Sequence, residues 1–297
     1  MMRRIIASAA VVALGLVTGS GSLTASPTPR NISAERVPVH PIAFFDQRTF
    51  AMALSRAQYA PAKRADGIRA VVVPHHWLAA DLIVEGLRGI ERAGEIRRVV
   101  LIGPNHIGAG GASFTTSGFA WRVPGGVMRP DAAGLAAILA HRDAKALPNV
   151  MSNEHSVAGL VPAVRHFFPN ATVVPLAVRA RTDAVALRRM ARTLSALLQD
   201  PATVLVVSVD FSHYKDASEA LRRNRESIEA ISGFDIGRVL SFGNEHMDSP
   251  ATIALLLETM RRVGANRFEL WDDKNSTDFG GPSSAPNVTS YVVGAFL

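Results

Sequence analysis

The chain has 297 residues, 48% hydrophobic, 19% charged and 6% aromatic, with no cysteine and a formal charge of +7. That apolar share can bury an ordinary core, which excludes a disordered tail, and the missing cysteines exclude a disulfide-stapled miniprotein. The basic residues fall mostly in pairs on expected helices, such as Arg188 and Arg189 or Arg222 and Arg223, without interleaved aromatics. They read as solvated helix faces, and no nucleic-acid partner is expected.

Arg3 and Arg4 precede an apolar run from Ile5 to Val17, broken only by Ser8, and a small and polar stretch ending near Ala25. This is the composition of a secretory signal, and a 13-residue run falls short of the ~20 residues that span a bilayer as a helix. Residues 1–25 are therefore expected to be a removed signal, 26–39 a linker and 40–297 one domain. The mature chain would be exported, periplasmic or secreted, with a charge of +5 once Arg3 and Arg4 are gone. It would keep no stable membrane anchor, and it has no cysteine to carry a lipid.

From there short β-branched runs alternate with segments of helical period. Ile68–Val73 reads as a buried strand, Ala79–Arg92 as a helix and Arg98–Gly103 as a strand parallel to the first. Between Ile107 and Pro130 glycines and prolines multiply, predicting a long excursion with one short hairpin, and a helix follows from Asp131 to Ala140. Ser152 to His155 opens a helix that runs to Pro169 with Pro162 as a kink. Thr172–Val178 is a third strand, and Thr182–Gln199 a helix capped by Thr182. Thr203–Val209, apolar almost throughout, is a central strand. Helices at Asp216–Ile231 and Pro250–Arg262 and strands at Arg267–Trp271 and Ser290–Leu297 complete an α/β fold, a three-layer sandwich around a mostly parallel sheet.

Ligands of such sheets gather beyond the carboxyl ends of the strands. Pro74-His75-His76-Trp77 follows the first strand, Pro104-Asn105-His106 the second, and Asp210-Phe211-Ser212-His213-Tyr214 the fourth. Three strands thus bring imidazoles to one rim. Imidazole fixed on rigid strands is a common ligand of divalent transition metals, so His75 and His106 are candidate metal ligands. Gly108-Ala109-Gly110-Gly111 lacks the helix and spaced third glycine of a dinucleotide site, and Ser208 and Ser212 lack a nucleophile elbow.

VVVPHHW, LIGPNH, NEHSVAGLVPAV, SVDFSHY, MDSPATIALLLETM and SYVVGAF, in this order, resemble the successive blocks of the MEMO-like proteins, called AmmeMemoRadiSam system protein B in many bacteria. The resemblance implies a LigB-like fold, that of the class III extradiol dioxygenases, with a metal at the strand ends. Carried over residue by residue, it implies metal ligands at His75 and His106 and an Asp210/His213 block. The family's usual cysteine falls at Asp248. Two histidines and a carboxylate suit Fe(II), with copper and zinc as the other candidates. Ser249 precedes Pro250, so Asp248 also fits the plainer role of favouring a helix start. A shift of one residue would bring Met247 or Ser249 to the metal, and His246 is a substitute ligand.

Asp210 and His213 are then candidates for proton transfer, the carboxylate raising the basicity of the imidazole. Glu154 is explained by the dipole of the helix it begins, and His155, His76, Asn105 and Tyr214 are candidate cleft residues. The function implied is a non-haem iron, dioxygenase-like oxidoreductase acting on a small organic substrate. The alternative is a non-catalytic metal-binding or peptide- or protein-interaction module of the same fold. Substrate, metal and oligomeric state are not legible.

Overall fold

The computed structural model describes residues 37–63, 65–90, 95–284 and 287–297. The expected signal and most of the expected linker lie outside these residues. In chain order the strands are β1 (Val39–His40), β2 (Ala70–Val73), β3 (Arg98–Asn105), β4 (Phe114–Thr116), β5 (Ala120–Val123), β6 (Gly126–Met128), β7 (Ala144–Ala146), β8 (Thr172–Arg179), β9 (Thr203–Ser208), β10 (Phe268–Asn275) and β11 (Ser290–Phe296).

Eight of them form one mixed sheet in the order β10-β11-β2-β9-β3-β8-β4-β7. Its centre, β2-β9-β3-β8, is parallel, whereas β10, β11 and β4 pair antiparallel to their inner neighbours. The central strands are apolar on both faces because helices cover both, the condition for a parallel sheet. Alternate side chains divide cleanly. Val71, Val73, Val99 and Leu101 enter one core with the helices Ala80–Arg88 and Val161–Phe167. Val72, Val100, Ile102 and Leu205 enter the other with Ala184–Leu197 and Pro250–Val263. The three-layer α/β sandwich is therefore present, with β9 between β2 and β3.

The long excursion after His106 supplies β4 to the main sheet and a β5–β6 hairpin, which joins β1 in a small second sheet. Two local expectations change. The helix expected up to Pro169 is two short pieces, His155–Ala158 and Val161–Phe167, because Gly159 and Pro162 interrupt it. Asp183, not Thr182, caps the helix Ala184–Leu197, its carboxylate accepting the N–H groups of Val185 and Ala186. Thr182 turns its hydroxyl to the Arg179 carbonyl at 2.7 Å. Among the described residues no helix is long and apolar enough to cross a membrane.

Candidate metal centre

Sheet register brings the first two groups together. Val73 stands opposite Ser208, so His75, two residues past the end of β2, comes level with Asp210. The His75 N–H donates to Asp210 Oδ1 at 3.0 Å, and its ring Nδ1 lies 3.1 Å from Ser208 Oγ. Across β9, His106 follows the last residue of β3. Its backbone N–H donates to Glu154 Oε2 at 2.8 Å, and its Nδ1 is hydrogen-bonded to Glu154 Oε1 at 2.7 Å.

Glu154 also accepts the Ser156 N–H at 3.0 Å, so one buried carboxylate caps the His155–Ala158 turn and orients His106. That turn can approach β3 because residue 103 is glycine: a Cβ there would stand 2.4 Å from Ser156 Oγ. The close approach carries the His155 ring to 4.1 Å from that of His106, stacked on it, and to 5.0 Å from that of His75. One ring nitrogen from each of the three histidines lies within 4.8 Å of the other two.

Asp248 completes the group. A short antiparallel bridge pairs Phe211 with Met247, the Asp248 N–H donates to the Asp210 carbonyl at 3.0 Å, and the Asp210 N–H donates back to Asp248 Oδ2 at 3.3 Å. That Oδ2 lies 3.3 Å from His75 Nε2 and 3.4 Å from His106 Nε2. The neighbours of Asp248 are occupied elsewhere. Ser249 caps the helix Pro250–Val263, Met247 is buried in the core, and His246 pairs with Glu226 at 2.7 Å and stacks on Phe242.

Nitrogen and oxygen donors held at ~2.0–2.2 Å from one ion stand ~3.0 Å apart at a right angle and ~3.4 Å apart at a tetrahedral angle. The separations of 3.3 and 3.4 Å fall in that range. Asp248 Oδ1 is buried without a hydrogen-bond partner, as expected of a carboxylate that spends its capacity on an ion. The residues thus fit a divalent transition metal, with a donor set of imidazole and carboxylate and no thiolate.

Without an ion the cluster holds a proton. Burial pulls the basicity of His106 down, but the hydrogen bonds and charges of Asp248 and Glu154 outweigh it and push its pKa up to about 10. Burial would raise Glu154, yet its bonds to His106 bring it down to about 2. For His155, burial, reinforced by His75 and His106, outweighs the pull of Glu154 Oε1 3.5 Å from its Nδ1 and lowers it to about 4. Glu154 therefore does more than favour a helix start, and His155 is a member of the cluster, beyond the cleft contact expected of it. An acid next to a histidine at a helix start was the available signal.

The cluster lies at a cleft of about 590 Å³ that His76, Trp77, His213 and Tyr214 also border. Within it His76 Nδ1 is 2.7 Å from the Tyr291 hydroxyl, and burial lowers its pKa. Two expected contacts are not made. The Asp210 carboxylate is engaged by His75, not by His213, whose Nδ1 is buried without a partner. Asn105 bonds Ala109 twice, by Nδ2 to the carbonyl at 2.9 Å and by Oδ1 from the N–H at 3.2 Å, and so shapes its own loop instead of lining the cleft.

Residues 46–294 match the Memo-like protein family. The chain belongs to that family. A MEMO1 family protein of Methanopyrus kandleri is 26% identical over 237 residues, 76% of this chain and 82% of its own. One of Thermotoga maritima is 31% identical over 145 residues, 48% of this chain and 52% of its own. A solved structure of an uncharacterized protein from Escherichia coli K12 aligns with a TM-score of 0.45 at 13% identity, over 76% of this chain and 99% of that one. The family match covers every residue of the centre, from His75 to Asp248.

Proposed function

We propose that this protein binds one divalent transition metal through His75, His106 and Asp248, with His155 beside it, and that it is an exported non-haem iron enzyme, a dioxygenase-like oxidoreductase of a small organic substrate. The observation that carries this reading is the convergence of three imidazoles at an open cleft, with the Asp248 carboxylate against two of them. A structural ion is closed off by its protein ligands, whereas a catalytic one keeps a face toward its substrate. Here the His106 and His155 side chains remain 26% and 43% exposed.

When bound to two histidines and a carboxylate, Fe(II) supplies open positions for an oxygen-donor substrate and dioxygen. The chain's own residues orient and protonate. Ser208 and Asp210 fix the ring and backbone of His75. Glu154 holds His106 by Nδ1, leaving Nε2 to face Asp248. His213, in the cleft wall, serves to take up or deliver a proton at its imidazole. Export is supported by the composition of residues 1–25.

Elemental analysis of the untagged protein, then anaerobic loading with Fe(II) and oxygen uptake on a panel of catechols, tests the proposal. One metal per chain and saturable uptake are expected, both lost in His75→Ala and His106→Ala. A fully metallated protein without uptake on the panel refutes the dioxygenase reading and leaves a metal-binding module. A chain that takes up no metal refutes both.

A further inference from the structure

Among the described residues only three besides glycine have a left-handed backbone: Phe44 (φ 58°), Tyr214 (φ 63°) and Phe234 (φ 52°). For a bulky side chain that conformation is strained, and such strain persists where the surroundings impose it, commonly at ligand-gripping positions. Phe234 is buried at a helix end. The other two are different. Phe44 and Tyr214 come from segments 170 positions apart in the sequence, yet both border the cleft of the histidine cluster. Their rings are left open, with Phe44 52% and Tyr214 64% exposed.

The backbone under Phe44 is pinned by a close approach. A Cβ at Gly159 would stand 3.1 Å from the Phe44 carbonyl oxygen, so the loop bearing Phe44 rests on the turn that carries His155. The Phe44 ring then lies edge-on to that of His155, with centroids 6.0 Å apart, and the Tyr214 ring lies 5.6 Å from that of His213. Trp77 adds a third aromatic wall. Charge points the same way. Among the described residues no lysine or arginine lines this cleft, and the one carboxylate that lines it is that of Asp210. Beyond the imidazoles, of which those of His75 and His106 are assigned to the metal, a ligand carboxylate would find no lysine or arginine to pair with, whereas an uncharged ring finds apolar faces and edges.

We infer that Phe44 and Tyr214 are specificity-determining residues that grip a planar ring beside the metal cluster, and that the cleft selects an uncharged aromatic ring over a carboxylated one. The inference rests on reading this cleft as the substrate side of the centre.

The test is isothermal titration calorimetry of the full chain, loaded with Zn(II) and kept anaerobic, with catechol and with 3,4-dihydroxybenzoate as probes. Zinc content is measured first, so a chain that fails to take up metal counts against the function proposed above and is scored apart from ring binding. Catechol is expected to bind at least about tenfold more tightly than the carboxylated ring, and Phe44→Gly and Tyr214→Gly each to weaken it about tenfold. Because glycine relieves the left-handed backbone, both variants are expected to melt no lower than the parent. Phe44→Leu and Tyr214→Leu, which keep apolar bulk but lose the ring, give the same comparison if a glycine variant loses its near-ultraviolet dichroism. Equal affinity for the two probes, undiminished binding in the variants, or no ring binding by the zinc-loaded chain overturns the inference.

Discussion

Metal binding to this centre is expected to depend steeply on pH, because the ion must displace a proton from His106. In the metal-free cluster that imidazole is held at about 10, with Glu154 on Nδ1 and Asp248 against Nε2. A metal requires the Nε2 lone pair, so at pH 7 the proton must be expelled against a difference of about three pH units. At ~1.36 kcal/mol per unit this costs ~4 kcal/mol, an upper figure because the side chain is partly solvated. His155, lowered to about 4, is already neutral at pH 7 and adds nothing. Affinity should therefore rise about tenfold per pH unit between pH 7 and 9. The same protonation contributes to stability with the opposite trend. His106 is raised above its unfolded value of 6.5, so its contribution to the metal-free fold is complete below pH 6.5 and is lost as pH rises through about 10. Competition for Zn(II) against a chromophoric chelator, corrected for the chelator's own protonation, measures the slope. Asp248→Asn should flatten it, since the carboxylate facing the Nε2 proton is gone. A corrected affinity that is flat from pH 7 to 9 in the parent protein, or a slope that survives Asp248→Asn, would refute the reasoning.

Glu154→Gln should weaken metal binding 10- to 100-fold at pH 9 in the same competition, roughly the usual loss when the group orienting a ligand imidazole is altered. Gly103→Ala forces a Cβ to 2.4 Å from Ser156 Oγ and should lower stability by about 1–3 kcal/mol in urea unfolding, while loosening His155 from its partners. Ser249→Ala removes a helix cap and should cost about 1 kcal/mol with metal content intact. His246→Ala should likewise retain its metal, because that ring is bound to Glu226, and loss of metal in either variant would move the ligand away from Asp248.

The legible part of the fold was the part whose pattern is set by burial on two faces. Val71–Val73, Val99–Ile102 and Val204–Val207 read as strands because helices cover both sides of the sheet, leaving no position for a polar residue. The two-residue β1 and three-residue β7 are too short and too exposed to carry a period. The split after Ala158 was obscured because Val157, Leu160, Val161 and Val164 keep helical spacing across the break, and Gly159 and Pro162 outweigh that period. His75 and His106 were legible because strand ends fix direction as well as place. His155 was read as a cleft residue only, because its reach depends on a missing Cβ at position 103, in another element. Asp210 was correctly placed at the rim but assigned to His213, three residues on, whereas register sets it beside His75 on the neighbouring strand.

Asp248 shows why such a centre resists reading from spacing alone. Its position depends on no regular strand of its own. β9 ends at Ser208, and beyond it the chain is held by the Phe211–Met247 bridge and the reciprocal bonds between residues 210 and 248. These extend the pairing past the sheet rim, and Ser249 at once begins a helix whose buried face locks into the core. The helix start that makes a cap role plausible for this aspartate is thus the anchor that holds it against the histidines. Cap and cluster carboxylate are adjacent residues with separate tasks: the Ser249 hydroxyl accepts from Thr252, and the Asp248 carboxylate is left to face two imidazoles. Adding a residue between positions 248 and 249 would keep the cap and the core but break this division, and the consequence expected is a folded chain, with its near-ultraviolet dichroism retained, that no longer holds a metal.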